Sequence, residues 1–384
     1  MRTLATNWTV IQLLPALDAG GAERSTLEVA AALVAAGHRS IVISAGGAWV
    51  SRLTAGGSEH ILLPMERKSL YALARIAKLR SLLRQLKPDL VHARSRLPAW
   101  LARAAMWGMR PRPAFVTTVH GLNSVSAYSA VMSRADRVIA VSDTTRRHLL
   151  KHYARLDASR IRVIPRGVDG QEFCPESSMQ SGWKEAFLAE FPMLRGGPWL
   201  TLPGRGTRLK GHGDAIELLA RLHVEGIQAR LLLLGVIEAG REDYARELRK
   251  KAGELGVLEF IAFSPTRADV REIYLASDLV LQLSTRPESF GRIVTEALSL
   301  RRPVLGYAHG GVGELLERHF PAGAVTPRQV DELCARAQLL LQEPPLIDIS
   351  GIPRVENLQR LTLSVYRELL DGTAVDPAFG LAAR

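Results

Sequence analysis

Cysteine is almost absent from this 384-residue chain, which contains only Cys174 and Cys334. Two cysteines cannot build a metal cage, and their spacing predicts no disulfide framework. Aromatic residues make up only 6% of the chain, and no apolar run approaches the roughly 18 residues that would span a bilayer. Residues 1–10 lack the basic and apolar regions of a signal peptide. The sequence therefore favours a globular protein of a reducing compartment, and we expect it in the cytoplasm.

Acidic residues are scarce in one part of the chain. Residues 61–160 contain 19 Lys/Arg and five Asp/Glu, a net charge of +14 within a chain whose total is +12, so the remainder sums to −2. A basic half predicts an anionic partner, such as lipid headgroups, a phosphorylated acceptor or nucleic acid, although a solubilising arginine-rich surface has the same composition. The scarcity of aromatic residues and of recognised motifs disfavours a nucleic-acid-binding protein.

Short apolar segments alternate with helical patterns along the whole chain, which predicts parallel sheets covered by helices on both faces. In the first half the predicted strands are 9–14, 39–44, 59–63, 89–93, 114–119, 137–141 and 160–164. The main predicted helices there are 23–36, 68–86 and 143–153. Gly37 stands at the end of the first helix, where a left-handed residue is favoured.

Proline and glycine are dense in 165–198, which predicts a linker containing one helix. Strands follow at 199–203, 230–234, 259–263, 278–283 and 303–306, with helices at 213–223, 241–253, 293–300, 329–341 and 355–370. We therefore expect two doubly wound domains. Their expected bounds are 1–175 and 176–354, followed by a C-terminal helix at 355–371 that packs back on the first domain and a mobile tail at 372–384.

Ligands of doubly wound sheets bind beyond the carboxyl ends of the strands, at the loops that enter helices. In the first half, Gly20 and Gly21 occupy such a loop, where a close backbone approach and the following helix terminus suit an anion. The paired glycines are equally compatible with a tight turn. His120 ends a predicted strand, and a histidine there can bind a hydroxyl or carry a proton.

In the second half, Arg205 and Lys210 bracket a glycine-containing loop directly after a strand, and two such cations suit a diphosphate. Glu288 precedes a later helix and Glu296 lies about one turn inside it. A carboxylate at such a helix terminus can accept the paired hydroxyls of a ribose or a sugar. The alternative is that these four residues are solvated loop and helix charges.

Taken together, these segments resemble the retaining glycosyltransferases of family 4, which have two Rossmann-like domains and include bacterial lipopolysaccharide-core and mannosyl transferases. The resemblance covers nearly the whole chain. The matching residues are Gly20-Gly21-Ala22-Glu23, His120, Gly204-Arg205, Lys210-Gly211, Glu288-x-Phe290-Gly291-x4-Glu296 and His309-Gly310-Gly311-Val312-Gly313-Glu314-Leu315. The chain departs from the family at Arg166, where relatives often carry Asn, and at Gly313, where Pro is usual.

The resemblance implies a GT-B fold, in which the two parallel-sheet domains face each other across a cleft. It implies that the second domain binds the donor. Arg205 and Lys210 would hold its diphosphate, and Glu296 would bind the ribose hydroxyls. The donor sugar would be held by Glu288, Ser289, Phe290 and Gly291.

The resemblance also implies the reaction. The enzyme would transfer a hexosyl group with retention from a UDP- or GDP-linked sugar, without a metal or any other cofactor. His120 and Glu288 would serve the reacting centre, and Gly20 and Gly21 would lie near the phosphate and the acceptor. The acceptor would be a glycan or a lipid-linked molecule of lipopolysaccharide or other cell-envelope synthesis, reached by peripheral contact with the inner membrane's cytoplasmic face.

One other enzyme class remains open, and a second is disfavoured. A sugar-nucleotide hydrolase or epimerase of the same fold would share most of these residues. An oxidoreductase is disfavoured because the Gly20-Gly21 loop is not the G-x-G-x-x-G pattern of a dinucleotide site.

Overall fold

The computed structural model of the chain describes residues 7–18, 20–65, 72–176 and 178–381. The chain divides into two compact units. Unit 1 comprises 1–166 together with 355–384, and unit 2 comprises 167–354. The division after residue 166 lies nine residues before the boundary expected from the linker composition.

The described helices and strands, in chain order, follow the predicted alternation. Up to the unit boundary they are β1 Thr9–Leu13, α1 Gly21–Ala35, β2 Arg39–Ser44, α2 Val50–Ala55, β3 Glu59–Leu62, α3 Ala72–Leu86, β4 Leu90–Ala93, α4 Arg96–Met106, β5 Ala114–Val119, β6 Arg137–Ala140, α5 Asp143–His152 and β7 Ile161–Val163. Beyond it they are α6 Trp183–Glu190, β8 Trp199–Pro203, α7 His212–Val224, β9 Arg230–Ile237, α8 Glu242–Glu254, β10 Ile261–Pro265, α9 Val270–Ala276, β11 Leu279–Gln282, α10 Arg292–Ser299, β12 Val304–Tyr307, α11 Gly310–His319, β13 Ala324–Val325, α12 Val330–Gln342, α13 Val355–Leu370 and α14 Ala378–Leu381.

Unit 1 is built on a seven-stranded sheet in the order β3-β2-β1-β4-β5-β6-β7, and every pairing in it is parallel. Its central strands are apolar on both faces because helices cover both sides, and Val10, Ile11 and Leu13 of β1 are fully buried. The predicted doubly wound architecture is confirmed for this half. Gly37 has a φ of +78° just beyond α1, as its position predicted.

The last long helix belongs to unit 1. The apolar cluster that contains Trp8, the residue before β1, also contains Leu358, Leu361 and Tyr366 of α13. Glu368 of α13 accepts hydrogen bonds from two arginines of unit 1, which adds a buried ionic contact to the apolar one. In the expected mobile tail, α14 forms at 378–381 and Phe379 packs on the same cluster; residues 382–384 lie outside the described residues.

Unit 2 contains a six-stranded parallel sheet in the order β10-β9-β8-β11-β12-β13. Strands β8 and β11 pair directly in this sheet although 75 residues of chain separate them. This pairing is typical of the doubly wound topology. The sequence correctly predicted the first five strands of this sheet within three residues at each end, and missed β13. In the part of the chain that the structure describes, no helix is long and apolar enough to cross a membrane.

Candidate active site

Three loops of unit 2 meet at the carboxyl ends of adjacent parallel strands. They are the segments that follow β8, β11 and β12, and these strands are neighbours in the sheet order. Each loop leads into a helix, namely α7, α10 and α11. The arrangement is the switch-point geometry at which ligands of doubly wound sheets bind.

Lys210 and Glu288 form the contact at the centre of this edge. Lys210 Nζ donates to Glu288 Oε1 at 2.6 Å, although the residues are 78 positions apart. The two side chains are 26% and 30% exposed, so the pair is partly screened by water but open to a ligand. Ser284 Oγ donates to the same carboxylate oxygen. The site therefore presents one ammonium group and one carboxylate in contact, with donors to spare on the nitrogen.

Backbone contacts hold the β8 and β11 loops close together. Gly211 has a φ of +74°, and a Cβ added there would lie 2.1 Å from Leu283 O, at the end of β11. Thr285 N donates to Leu209 O at 2.8 Å and ties the same two loops together. Only a glycine at 211 allows the β8 loop to lie against the end of β11, and this contact places Lys210 beside Glu288.

The β11 and β12 loops are joined next to the pair. Gly311 N donates to Glu288 O at 2.8 Å, and a Cβ at Gly311 would meet Phe290 Cα at 2.6 Å. His309 Nε2 lies 2.7 Å from Ser284 O, and because a carbonyl only accepts, this nitrogen carries the proton. Neither α10 nor α11 has a side-chain cap, and a helix N-terminus of this kind favours an anionic ligand.

The other predicted donor residues occupy the same elements. Arg205 is exposed in the β8 loop. Glu296 lies half-buried in α10, and its charge adds to burial in raising the pKa of Tyr274. Ser289 is half-buried and Phe290 is buried. The structure thus brings Lys210 and Glu288 into contact. Arg205 lies on the same loop as Lys210, and Ser289, Phe290 and Glu296 lie on the loop and helix that follow β11.

Sequence reasoning missed Ser284 at this site, and it named His309 only as part of the family match, without a role. It also missed His212, the first residue of α7, which is fully buried. Burial lowers the pKa of His212 to about 4, and hydrogen bonds to the backbone of the β8 loop partly oppose that shift. No sequence pattern predicted the burial of His212, because a single histidine carries no periodicity.

Unit 1 has its own polar edge at the ends of β1, β4, β5 and β7. Gly20 precedes α1 in an extended conformation, and no side chain caps the helix. The Nδ1 atom of His120, which follows β5, lies 2.6 Å from Arg166 Nη2. Arg94 follows β4, is only 4% exposed, and donates from Nε to Gln12 Oε1 at 3.1 Å. Sequence reasoning had identified three of these residues and missed Arg94.

A second buried network lies behind His120 in the same sheet. His92 Nδ1 lies 2.7 Å from Tyr366 OH of α13, and its Nε2 lies 2.7 Å from Thr118 Oγ1 of β5. Burial holds the pKa of His92 well below its ordinary value, so the ring is neutral. The C-terminal helix thus supports the strand that ends at His120.

Among the described residues, no group of three or more His, Cys, Asp or Glu side chains is placed to hold a metal ion.

Family models match each half of the chain. Residues 19–172 match the model described as Glycosyltransferase Family 4, and residues 195–349 match the model described as Glycosyl transferases group 1. A curated relative, the D-inositol 3-phosphate glycosyltransferase of Nocardiopsis dassonvillei, is 30% identical over 255 residues. That alignment covers 62% of this chain and 57% of the relative, so it spans little more than half the length of that protein.

Solved structures resemble the whole chain. A glycosyltransferase from Rickettsia africae has a TM-score of 0.83 and 26% identity, and the match covers 96% of this chain and 100% of that one. Anabaena HepE in complex with UDP-glucose has a TM-score of 0.76 and 21% identity, over 95% of this chain and 99% of that one. The two Rossmann-like, parallel-sheet domains predicted from the sequence are confirmed. The named curated relative acts on an inositol phosphate, whereas the sequence-based expectation was an enzyme of lipopolysaccharide assembly.

Proposed function

The first domain of this chain belongs to Glycosyltransferase Family 4 and the second to Glycosyl transferases group 1, and from this premise we propose a retaining, metal-independent hexosyltransferase. Its donor is a nucleotide-diphosphate sugar, UDP- or GDP-linked. Its acceptor is a glycan or a lipid-linked molecule of lipopolysaccharide or other cell-envelope synthesis.

The contact between Lys210 and Glu288 is the observation that carries the proposal. A diphosphate would take the ammonium group of Lys210 as its partner, with Arg205 from the same loop as a second cation. Glu288, released from Lys210, would then accept hydroxyls of the donor sugar, and Glu296 those of the ribose. The N-termini of α10 and α11, which no side chain caps, add positive dipole ends for the same negative charge.

Cationic side chains and helix ends suit the charge that develops in this reaction. The bond between the sugar C1 and the diphosphate oxygen breaks, and its electron pair leaves with the nucleotide. The acceptor oxygen forms the new bond to C1 from the same face, and its proton passes to the departing phosphate oxygen. Preorganised positive charge beside the leaving group lowers the barrier without a metal.

The acceptor is proposed to engage unit 1, whose 61–160 region carries the net +14 charge. Trp107, the residue that follows α4, is 84% exposed, and Leu73 on α3 is 79% exposed. Lys78 on α3 and Arg103 on α4 are exposed cations of the same region. An aromatic residue among cations suits the interface of an anionic membrane, which attracts each well-placed cation by about 1 kcal/mol. We therefore propose peripheral contact with the cytoplasmic membrane face.

Sedimentation with phosphatidylglycerol vesicles tests this contact. We expect binding that weakens as salt rises and is lost on neutral phosphatidylcholine vesicles. Equal indifference to both lipids and to salt would remove the membrane from the proposal.

A second acceptor class is favoured by the similarity to the D-inositol 3-phosphate glycosyltransferase of Nocardiopsis dassonvillei. A phosphorylated polyol would bind the same basic half without a membrane. Product analysis with inositol phosphate and with lipid-linked glycans distinguishes the two acceptors. Nucleotide release in the absence of any acceptor, at the rate seen with one, would instead identify a hydrolase.

Thermal unfolding with a panel of UDP, GDP, ADP and their sugars tests the donor site. A ligand at 100 times its dissociation constant stabilises the protein by about 2.7 kcal/mol. We expect one nucleotide to give this shift in the parent and in Lys250→Ala, whose side chain is 79% exposed on α8. Lys210→Ala and Glu296→Ala should lose most of it. If both respond as strongly as the parent, the residue assignment is wrong.

A further inference from the structure

Arg166 occupies an unusual place for an arginine. It follows β7, only 8% of the residue is exposed, and its Nη2 lies 2.6 Å from Nδ1 of His120, which follows β5. The two side chains line a narrow cavity over the intervening end of β6. Its other polar side chains are Ser25, Arg94, Thr118 and Thr362. Among the described residues that line this cavity there is no Asp or Glu.

The chemistry of this contact fixes the proton on the imidazole ring. A guanidinium group has five N–H donors, no acceptor, and does not lose its proton in proteins. The atom that faces it at hydrogen-bond distance must therefore be an acceptor, so Nδ1 of His120 carries a lone pair. A neutral imidazole has one proton, and it must then be on Nε2. Protonation of Nδ1 would turn the contact into two opposed donors beside a second buried cation, Arg94.

We propose that Arg166 is a positioning residue that holds His120 as the neutral tautomer with its proton on Nε2. This inference rests on the proposed function only for its consequence, namely that Nε2 of His120, a buried atom, acts in the reaction as a hydrogen-bond donor and not as a proton acceptor. His120 would donate to a sugar hydroxyl or to developing negative charge. Asn, the residue that resembling proteins often carry at this position, can donate or accept and does not enforce one tautomer.

The tautomer is measured directly in the full chain without substrate. Protein labelled with ¹⁵N in its histidines gives two-bond ¹H–¹⁵N correlations that distinguish protonated from unprotonated ring nitrogens. The signals of His120 are assigned by their loss in His120→Gln. We expect an unprotonated Nδ1 and a protonated Nε2 at pH 7.5, and a protonated Nδ1 in the parent would overturn the proposal.

Three variants give the same experiment its controls. In Arg166→Gln the amide oxygen can accept a proton from Nδ1, so we expect the two nitrogens to shift towards a mixture of tautomers. Arg166→Lys remains a donor without an acceptor and should keep the parent pattern. Arg160→Gln, an exposed arginine beside the start of β7, should leave the His120 signals unchanged. Unaltered His120 signals in Arg166→Gln would overturn the assignment.

Kinetics separate this role from direct binding of the donor. We expect Arg166→Gln to lower kcat about tenfold, the worth of one hydrogen bond made in the transition state, and Arg166→Lys to restore most of it. The KM for the donor and the thermal shift with nucleotide should stay within about twofold of the parent. A loss of nucleotide binding as large as that of Lys210→Ala would mean that Arg166 binds phosphate itself. The tautomer measurement holds whether or not sugar transfer is confirmed, so the two proposals fail separately.

Discussion

Replacing Glu368 by Gln removes the charge that ties the C-terminal helix to unit 1. Its carboxylate accepts from Arg137 Nη2 at 2.6 Å and from Arg162 Nη2 at 2.5 Å. Glu368 is 6% exposed, Arg162 8% and Arg137 25%. Because two of the three groups are nearly buried, the amide would leave a buried guanidinium without its counter-charge.

The expected loss of stability follows from that burial. Breaking a buried ion pair by removing one partner costs about 3–5 kcal/mol. We expect about 3 kcal/mol here, since Arg137 is partly solvated and Gln keeps one acceptor. A control variant is available in the same unit: Glu59 forms a similar two-point pair with Arg39, but both side chains are about half exposed. Glu59→Gln should cost at most about 1 kcal/mol.

Urea unfolding followed by far-UV circular dichroism measures both losses. Burial alone would raise the pKa of Glu368, but the hydrogen bonds from Arg137 and Arg162 outweigh it and hold the pKa below its ordinary value. The contribution of the charge is therefore fully present above about pH 4.5 and disappears as the pH falls through the folded-state pKa. The difference between the parent and Glu368→Gln should shrink in acid. Equal losses for Glu368→Gln and Glu59→Gln at pH 7 would refute the reasoning.

Two further predictions concern the β8 loop. Gly211→Ala should cost about 3 kcal/mol and abolish the nucleotide shift, since its Cβ would lie 2.1 Å from Leu283 O. Gly226→Ala, also at positive φ but with no atom within 4 Å, should cost only about 1 kcal/mol and bind nucleotide normally. His212 has a pKa of about 4 in the folded chain, below its ordinary 6.5, so unfolded protein takes up the proton first. Its contribution to stability should fall by about 2 kcal/mol between pH 6.5 and pH 5 in urea unfolding, and His212→Asn should lack that component; parallel pH profiles would contradict it.

The sheets were predictable because buried parallel strands are short apolar runs, as in β1 and β8, and their pattern is local. Some helices, such as α11, were not predicted because their local sequence pattern disfavours a helix. In α11, Gly311 and Gly313 weaken the helical pattern, yet a Cβ on either would collide with backbone, of Phe290 at 2.6 Å and of Ala308 at 2.8 Å respectively. These glycines are required by tertiary packing, which no single segment of sequence reveals.

The candidate site was predictable in part for a similar reason. The loop positions of Lys210 and Glu288 follow from the strand-to-helix pattern, but their contact depends on the neighbouring places of β8 and β11 in the sheet. Arg166 was visible only as a departure from a family pattern. In the structure it contacts His120, which follows β5, two places from β7 in the sheet.

The most direct test is a crystal structure of the chain with the nucleotide that stabilises it most. We expect diphosphate density within about 3 Å of Lys210 Nζ, with Lys210 turned away from Glu288 and the phosphates near the N-terminus of α10 or α11. A neighbouring groove of unit 2 is lined by Arg208, Arg286 and Arg328. Diphosphate density in that groove, with Lys210 still bound to Glu288, would contradict the account.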